Sequence, residues 1–144
     1  MVTPLDERVT WLVTRVHARS HALLQQAFAA GGSRPYHYRV LLALAEHGPA
    51  SQAEVGRVGG IDRSDVTAAL DVLCHAGFAV RTPDGTDRRR NVVSLTRGGR
   101  RELERLDAVL DDVQHQLLAM LTDDERRTLR ELLTRVATAD PGAV

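Results

Sequence analysis

Arg88, Arg89 and Arg90 follow Pro83-Asp84-Gly85-Thr86-Asp87, a stretch whose Pro, Gly and Asp residues mark a turn. Residues 81–101 hold seven arginines (81, 88, 89, 90, 97, 100 and 101) against Asp84 and Asp87. A guanidinium is permanently charged and offers a planar fork of donors, which suits phosphate and guanine. Three in a row on a turn can reach phosphates or a narrow, negative minor groove. Asp87 can hold an arginine side chain in one geometry through charge-assisted hydrogen bonds. A second group is Arg63, Ser64, Asp65 and Thr67, all able to hydrogen-bond, with Ala68 small enough to touch a thymine methyl. Ser51 joins them as a candidate contact.

Other residues with chemistry in them give weaker patterns. His17 and His21 are four apart and share a helix face, a spacing that can hold a metal, but no third ligand is identifiable, His37 included. Two polar residues on an exposed or pocket-facing helix is the plainer reading. Cys74 is the only cysteine, which excludes an intrachain disulfide. It reads as a small half-buried apolar residue, with His75 and Arg81 as thin support for a thiolate. Catalysis finds no footing: there is no Gly-rich phosphate loop, no nucleophile motif and no convergent carboxylate pair.

The elements around these residues follow from periodicity. Pro4 to about Ala30 has apolar positions near helical spacing (Val9, Leu12, Val13, Val16, Leu23, Ala27, Phe28) and stops at Gly31-Gly32. Tyr36 to His47 is a second helix, with Val40, Leu41 and Leu44 inward. Ser51-Gln-Ala-Glu54 is a capping box for a short third helix, followed by a Gly59-Gly60 turn and a buried Ile61. Asp62 or Ser64 caps a fourth helix with Val66, Ala69, Leu70 and Leu73 on one face, ended by Gly77. The period then becomes extended: Phe78–Thr82 and Asn91–Leu95 read as strands around the basic tip. Thr96 caps a long helix carrying a seam of Leu103, Leu106, Leu110, Val113, Leu117 and Leu121. Thr122 to Glu125 caps a last helix with Leu129, Leu132, Leu133 and Val136 inward, and the chain frays after about Asp140.

The order helix, turn, helix, two strands with a basic tip is a winged helix-turn-helix. The fold class expected is mainly α with a small β wing (α+β), as one domain over residues 1–144. Its winged core spans about 36–96, with flanking dimerisation helices at about 4–30 and 97–138. A winged domain cannot cover that much extra apolar helix alone, so a homodimer follows.

The bulk numbers agree. The 144 residues suit one core. Only two Phe, two Tyr and one Trp are present, so Leu, Val and Ala must build it. Net charge is zero, but residues 33–101 carry 11 Arg against 7 acids, and residues 102–144 carry 5 against 10. A basic middle and an acidic end let one face hold a polyanion. No apolar run approaches the roughly 20 residues of a membrane span, and the first residues lack a signal-peptide pattern, so a cytoplasmic protein without a membrane partner is expected.

Taken in order, Ser51-Gln-Ala-Glu-Val, Gly60-Ile-Asp-Arg-Ser, Gly77-Phe, Asp87-Arg-Arg and Ser94-Leu-Thr96 resemble the MarR family of bacterial regulators over nearly the whole chain. The resemblance implies a homodimer formed by the first and last two helices, with a recognition helix at about Asp62–Ala76. It implies that Arg89 enters the minor groove and that Asp87 braces it. It implies a double-stranded, pseudo-palindromic operator, with repression relieved by a small aromatic or drug-like ligand lodged between the dimer helices and the winged domain. His17, His21, Tyr36 and Tyr38 are the candidates for lining that site. No cofactor or structural metal is implied, although some relatives sense peroxide through cysteine, near the N-terminus where this chain has none, and a few sense metal. Two positions depart from the family pattern: Gly85 stands where many relatives have Pro, and Asp65 adds a negative charge. The competing readings are a winged protein-interaction module that does not bind DNA, and a metal- or redox-sensing regulator.

Overall fold

The computed structural model describes residues 1–87 and 89–140. Arg88 and the tail at 141–144, where fraying was expected, lie outside them. After a 3-10 turn at Leu5–Glu7 the chain forms α1 (Val9–Ala30), α2 (Pro35–His47), β1 (Ala50–Ser51), α3 (Gln52–Gly59) and α4 (Arg63–His75). Next come β2 (Ala79–Pro83), β3 (Asn91–Leu95), α5 (Arg97–Leu117) and α6 (Asp123–Ala137). The strands form an antiparallel sheet in the order β1-β3-β2, with Val80 opposite Ser94 and Ser51 opposite Val92. The two-residue β1 is not foreseen by periodicity, because it is too short to show any.

Every buried side chain of the α4 face (Val66, Ala69, Leu70, Leu73) meets Val40, Leu41 and Leu44 of α2, Val55 of α3, Val93 of β3 and Leu106 of α5 in one core. Ile61 plugs it just after the turn. That turn needs Gly60, whose φ of +60° is left-handed. Arg39 clamps it by donating to the carbonyls of Gly59 and Gly60, and Tyr36 packs its ring 5.7 Å under the Arg39 guanidinium. Gly77, at φ +78°, ends α4: the Phe78 N–H reaches back to the Leu73 carbonyl at 2.8 Å, which turns the chain into the wing.

Both capping boxes form, at Ser51/Glu54 and Thr122/Glu125. At α4 the expected side-chain cap is absent. Asp62 holds the capping position in extended conformation, but its carboxylate makes no capping bond and Ser64 lies inside the helix. The leucine seam is also shorter than expected. The Thr122 box requires an extended residue at 122, so α5 ends at Leu117 and Leu121 falls in the connecting turn. Leu132, Leu133 and Val136 do not point into the protomer: they are 49%, 48% and 76% exposed, and α6 has no buried residue. On α1, Val9, Leu12, Val13 and Val16 are likewise exposed.

The start of α5 is docked on the wing. Thr96 Oγ1 accepts from the Gly99 N–H (2.9 Å) and donates to the Gly77 carbonyl (2.7 Å). A Cβ at Gly99 would overlap the Phe78 carbonyl oxygen and lie 2.6 Å from Leu95 Cδ1. Backbone cannot yield as a side-chain tip does, so Gly99→Ala is expected to cost about 3 kcal/mol, the upper end for overpacking. Urea unfolding checks this; a change under about 1 kcal/mol would show that α5 slides freely on the wing.

Candidate nucleic-acid interface

The amphipathic spacing of α4 buries its apolar stripe and leaves Arg63, Ser64, Thr67 and Ala68 exposed, with Asp65 half-buried. Thr67 donates its hydroxyl proton to the Arg63 carbonyl (3.0 Å) and accepts from Gln52 Nε2 (3.3 Å). Beside α4, a groove is lined by Ser51, Gln52, Ala53 and Arg57 of the α3 region, by Arg63, and by Arg89, Arg90 and Asn91 of the wing. The fold thus gathers four of the sequence candidates, Ser51, Arg63, Arg89 and Arg90, around one basic concavity. Ser64, Asp65, Thr67 and Ala68 continue the same helix without lining it. Arg57 was missed; an isolated arginine on a short helix gives no pattern until the wing stands opposite.

Ser51 has a structural task as well. Its hydroxyl accepts from the Glu54 N–H (3.3 Å) while Glu54 accepts from the Ser51 N–H (2.8 Å). Donation to the Glu54 carboxylate by the Ser51 N–H, and then the nearby Ser51 side chain, hold that carboxyl below its ordinary pKa.

The wing tip is organised by two aspartates. Asp84 accepts from the Thr86 N–H and hydroxyl, both at 3.0 Å, and those bonds lower its pKa. Asp87 accepts from the Arg89 N–H at 3.0 Å, and its carbonyl accepts from the Arg90 N–H at 3.0 Å. The brace expected at Asp87 therefore holds the backbone of Arg89, not its guanidinium; two residues apart on a turn, carboxylate and amide meet more easily than carboxylate and side-chain tip. Among the described residues the guanidinium groups of Arg63 and Arg89 make no hydrogen bond or ion pair, so both are available to an anion. Asp87→Ala is expected to leave the fold intact and to weaken DNA binding about three-fold, by freeing the turn that aims Arg89. Fluorescence anisotropy on labelled duplex checks it; unchanged affinity would leave Asp87 without a bracing role.

Arg81 differs from the other arginines of its stretch. Its Nε–H donates to Gln52 Oε1 (3.1 Å) and its terminal nitrogen pairs with Asp71 (2.8 Å). It faces the helix-turn-helix, and the charge count that included it overstated the free charge of the wing.

Within one protomer the residues offered for a ligand site have different neighbours. His17 and His21 stack at 6.0 Å on exposed faces of α1, Tyr36 packs against Arg39, and the Tyr38 hydroxyl donates to Asp107 of α5 at 2.8 Å. Burial and that hydrogen bond push the Tyr38 pKa up to about 12. None of the four lines the groove beside α4 or the apolar groove between α1, α5 and α6. The buried polar pair near them is one that spacing did not single out: Ser33 and His37, 3.2 Å apart at the α1–α2 junction, where burial and then Arg34 lower the His37 pKa. Cys74 is half-buried, and no three His, Cys, Asp or Glu side chains cluster among the described residues.

A short capped helix, a glycine turn, a helix with an open polar face and a hairpin with a basic tip define a winged helix-turn-helix protein. The family model described as MarR family matches residues 32–90. The chain is 27% identical to the HTH-type transcriptional repressor NicR of Pseudomonas putida, over 98% of this chain and 90% of NicR. A probable transcriptional regulator from Pseudomonas aeruginosa superposes with a TM-score of 0.80 at 32% identity, over 92% of this chain and 99% of that one. CouR, a transcriptional repressor solved on a 23-mer DNA duplex, superposes with a TM-score of 0.80 at 29% identity, covering 92% of this chain and 94% of that one. BpsR of Bordetella bronchiseptica, whose DNA binding is regulated by 6-hydroxynicotinic acid, gives 0.82 at 26% identity, covering 97% and 100%. The chain belongs to the MarR family of winged-helix transcriptional regulators. The named relatives are regulators of transcription. No helix among the described residues is long and apolar enough to cross a membrane.

Proposed function

We propose that this chain is a homodimeric, sequence-specific DNA-binding repressor whose grip on its operator is released by a small aromatic ligand. The observation that carries the DNA reading is the pairing of the open polar face of α4 with a groove edged by Arg57, Arg63, Arg89 and Arg90. Bases are read from an exposed helix face in the major groove, while arginines at the edges neutralise phosphates and set register. Residues 1–144 work as one unit, the winged core at about 36–96 sitting between dimerisation helices at 4–30 and 97–138. A DNA partner places the protein in the cytoplasm.

The exposed apolar faces of α1 and α6 support dimerisation, since an amphipathic helix with no buried residue stabilises nothing alone. A two-fold dimer offers two α4 helices roughly 34 Å apart to a pseudo-palindrome. The ligand reading is supported by BpsR, regulated by 6-hydroxynicotinic acid, and by a CouR of Rhodococcus jostii solved with p-coumaroyl-CoA. A ligand that prefers a different separation of the two α4 helices would shift the dimer away from DNA.

Gel-shift titration against the DNA upstream of its own gene, with unrelated DNA as competitor, tests the proposal. A specific, salt-sensitive complex is expected. Failure there and in selection from random duplexes would leave a protein-interaction module as the better account.

A further inference from the structure

Arg81, Gln52 and Thr67 lie on three elements, β2, α3 and α4, yet form one chain of hydrogen bonds whose direction is set at one end. Arginine can only donate, so the Gln52 atom facing Arg81 Nε–H, 3.1 Å away, is the amide oxygen. The amide nitrogen then faces Thr67 at 3.3 Å and donates to its hydroxyl oxygen. With one lone pair taken, Thr67 sends its proton back to the Arg63 carbonyl at 3.0 Å. A hydroxyl has one proton and two lone pairs, so what Thr67 has left to offer outward is an acceptor. Asp71, 2.8 Å from the terminal nitrogen of Arg81, holds the guanidinium in place from α4 itself.

We propose, on the basis of the DNA-binding reading above, that Arg81 is a positioning residue that fixes base preference through Gln52 and Thr67 and does not contact a phosphate. Held this way, Thr67 accepts from the amino group of adenine or cytosine on the strand it contacts, and disfavours the carbonyls of thymine and guanine. Without Arg81 the Gln52 amide is free to swing away, the Thr67 hydroxyl loses the donor that holds it, and its proton can leave the Arg63 carbonyl for a base, so that Thr67 serves as donor or acceptor. The same bonds tie the wing strand to α4, so recognition helix and wing approach DNA as one piece.

Operator selection from a randomised duplex pool, read by sequencing, tests this with the full-length wild-type chain and four variants. Wild type is expected to prefer an amino-bearing base at one position of each half-site by about five-fold. Thr67→Val should erase that preference alone, which identifies the position. Arg81→Met should relax the same position with the salt dependence of binding unchanged. Arg81→Lys, another pure donor, should restore it. Gln52→Leu, which spares the Arg81–Asp71 ion pair, should relax it again and covers the case in which Arg81→Met fails to fold. A shallower salt slope for Arg81→Met would make Arg81 a phosphate contact and overturn the proposal. So would a uniform loss on all sequences, or a carbonyl-bearing base under Thr67. If wild type selects no sequence at all, the regulator reading fails, and this inference with it.

Discussion

Arg89→Ala weakens operator binding by about ten-fold or more and leaves the dimer intact. Three observations converge on this size. The Arg89 guanidinium has no partner among the described residues, so no intramolecular bond must break before it engages DNA. Its backbone is held by Asp87, so the side chain starts from a fixed base and little ordering cost is added on binding. It edges the same groove as Arg57, Arg63 and Arg90, where their like charges make an anion the only comfortable neighbour. Ten-fold is about 1.4 kcal/mol, modest for a charge-assisted contact and counted over two protomers. If each Arg89 neutralises a phosphate, the slope of log affinity against log salt should become shallower by about 1 to 2. Anisotropy titrations at several salt concentrations, with sedimentation to confirm the dimer, read both quantities. Affinity within two-fold of wild type would remove the wing from the mechanism.

Much of this interface was legible before any coordinates, for reasons particular to each part. Ser51/Glu54 and Thr122/Glu125 are visible because a capping box is a local rule, satisfied by residues three apart. Val66, Ala69, Leu70 and Leu73 are visible because a buried helix face repeats. The Gly60 and Gly77 turns are visible because glycine carries left-handed backbone without strain. What stayed hidden is non-local. Arg81 was counted with the basic wing, and only the packing of β2 on α3 and α4 shows it turned towards Gln52 and Asp71. Arg39 serves the Gly59-Gly60 turn from twenty residues away, and Tyr36 stacks on Arg39, a link that the polarity of the two residues does not announce. The inward direction expected for Leu132, Leu133 and Val136 fails for another reason. Periodicity reports that a helix has an apolar face, but it does not say whether the face is covered by the same chain or by a second one.

That ambiguity produces the largest effect expected of any substitution here. Leu132→Asp with Val136→Asp places two carboxylates on an α6 face that is 49% and 76% exposed at these residues in the protomer, so little protomer packing is lost directly. If a second copy covers that face, burying two unpaired charges costs several kcal/mol and the dimer dissociates. Sedimentation should then show monomer at concentrations where wild type is dimer. Operator affinity should fall by about 100-fold or more, because the second half-site is no longer bound intramolecularly at high effective concentration. Affinity for an isolated half-site, measured on a short duplex, should stay within about two-fold, since α4 and the wing lie elsewhere on the chain. That last measurement separates loss of the dimer from loss of the fold. A doubly substituted chain that remains dimeric with full operator affinity would move the interface away from α6. One that loses half-site binding as well would show that α6 supports the winged core itself, against the absence of any buried residue on that helix.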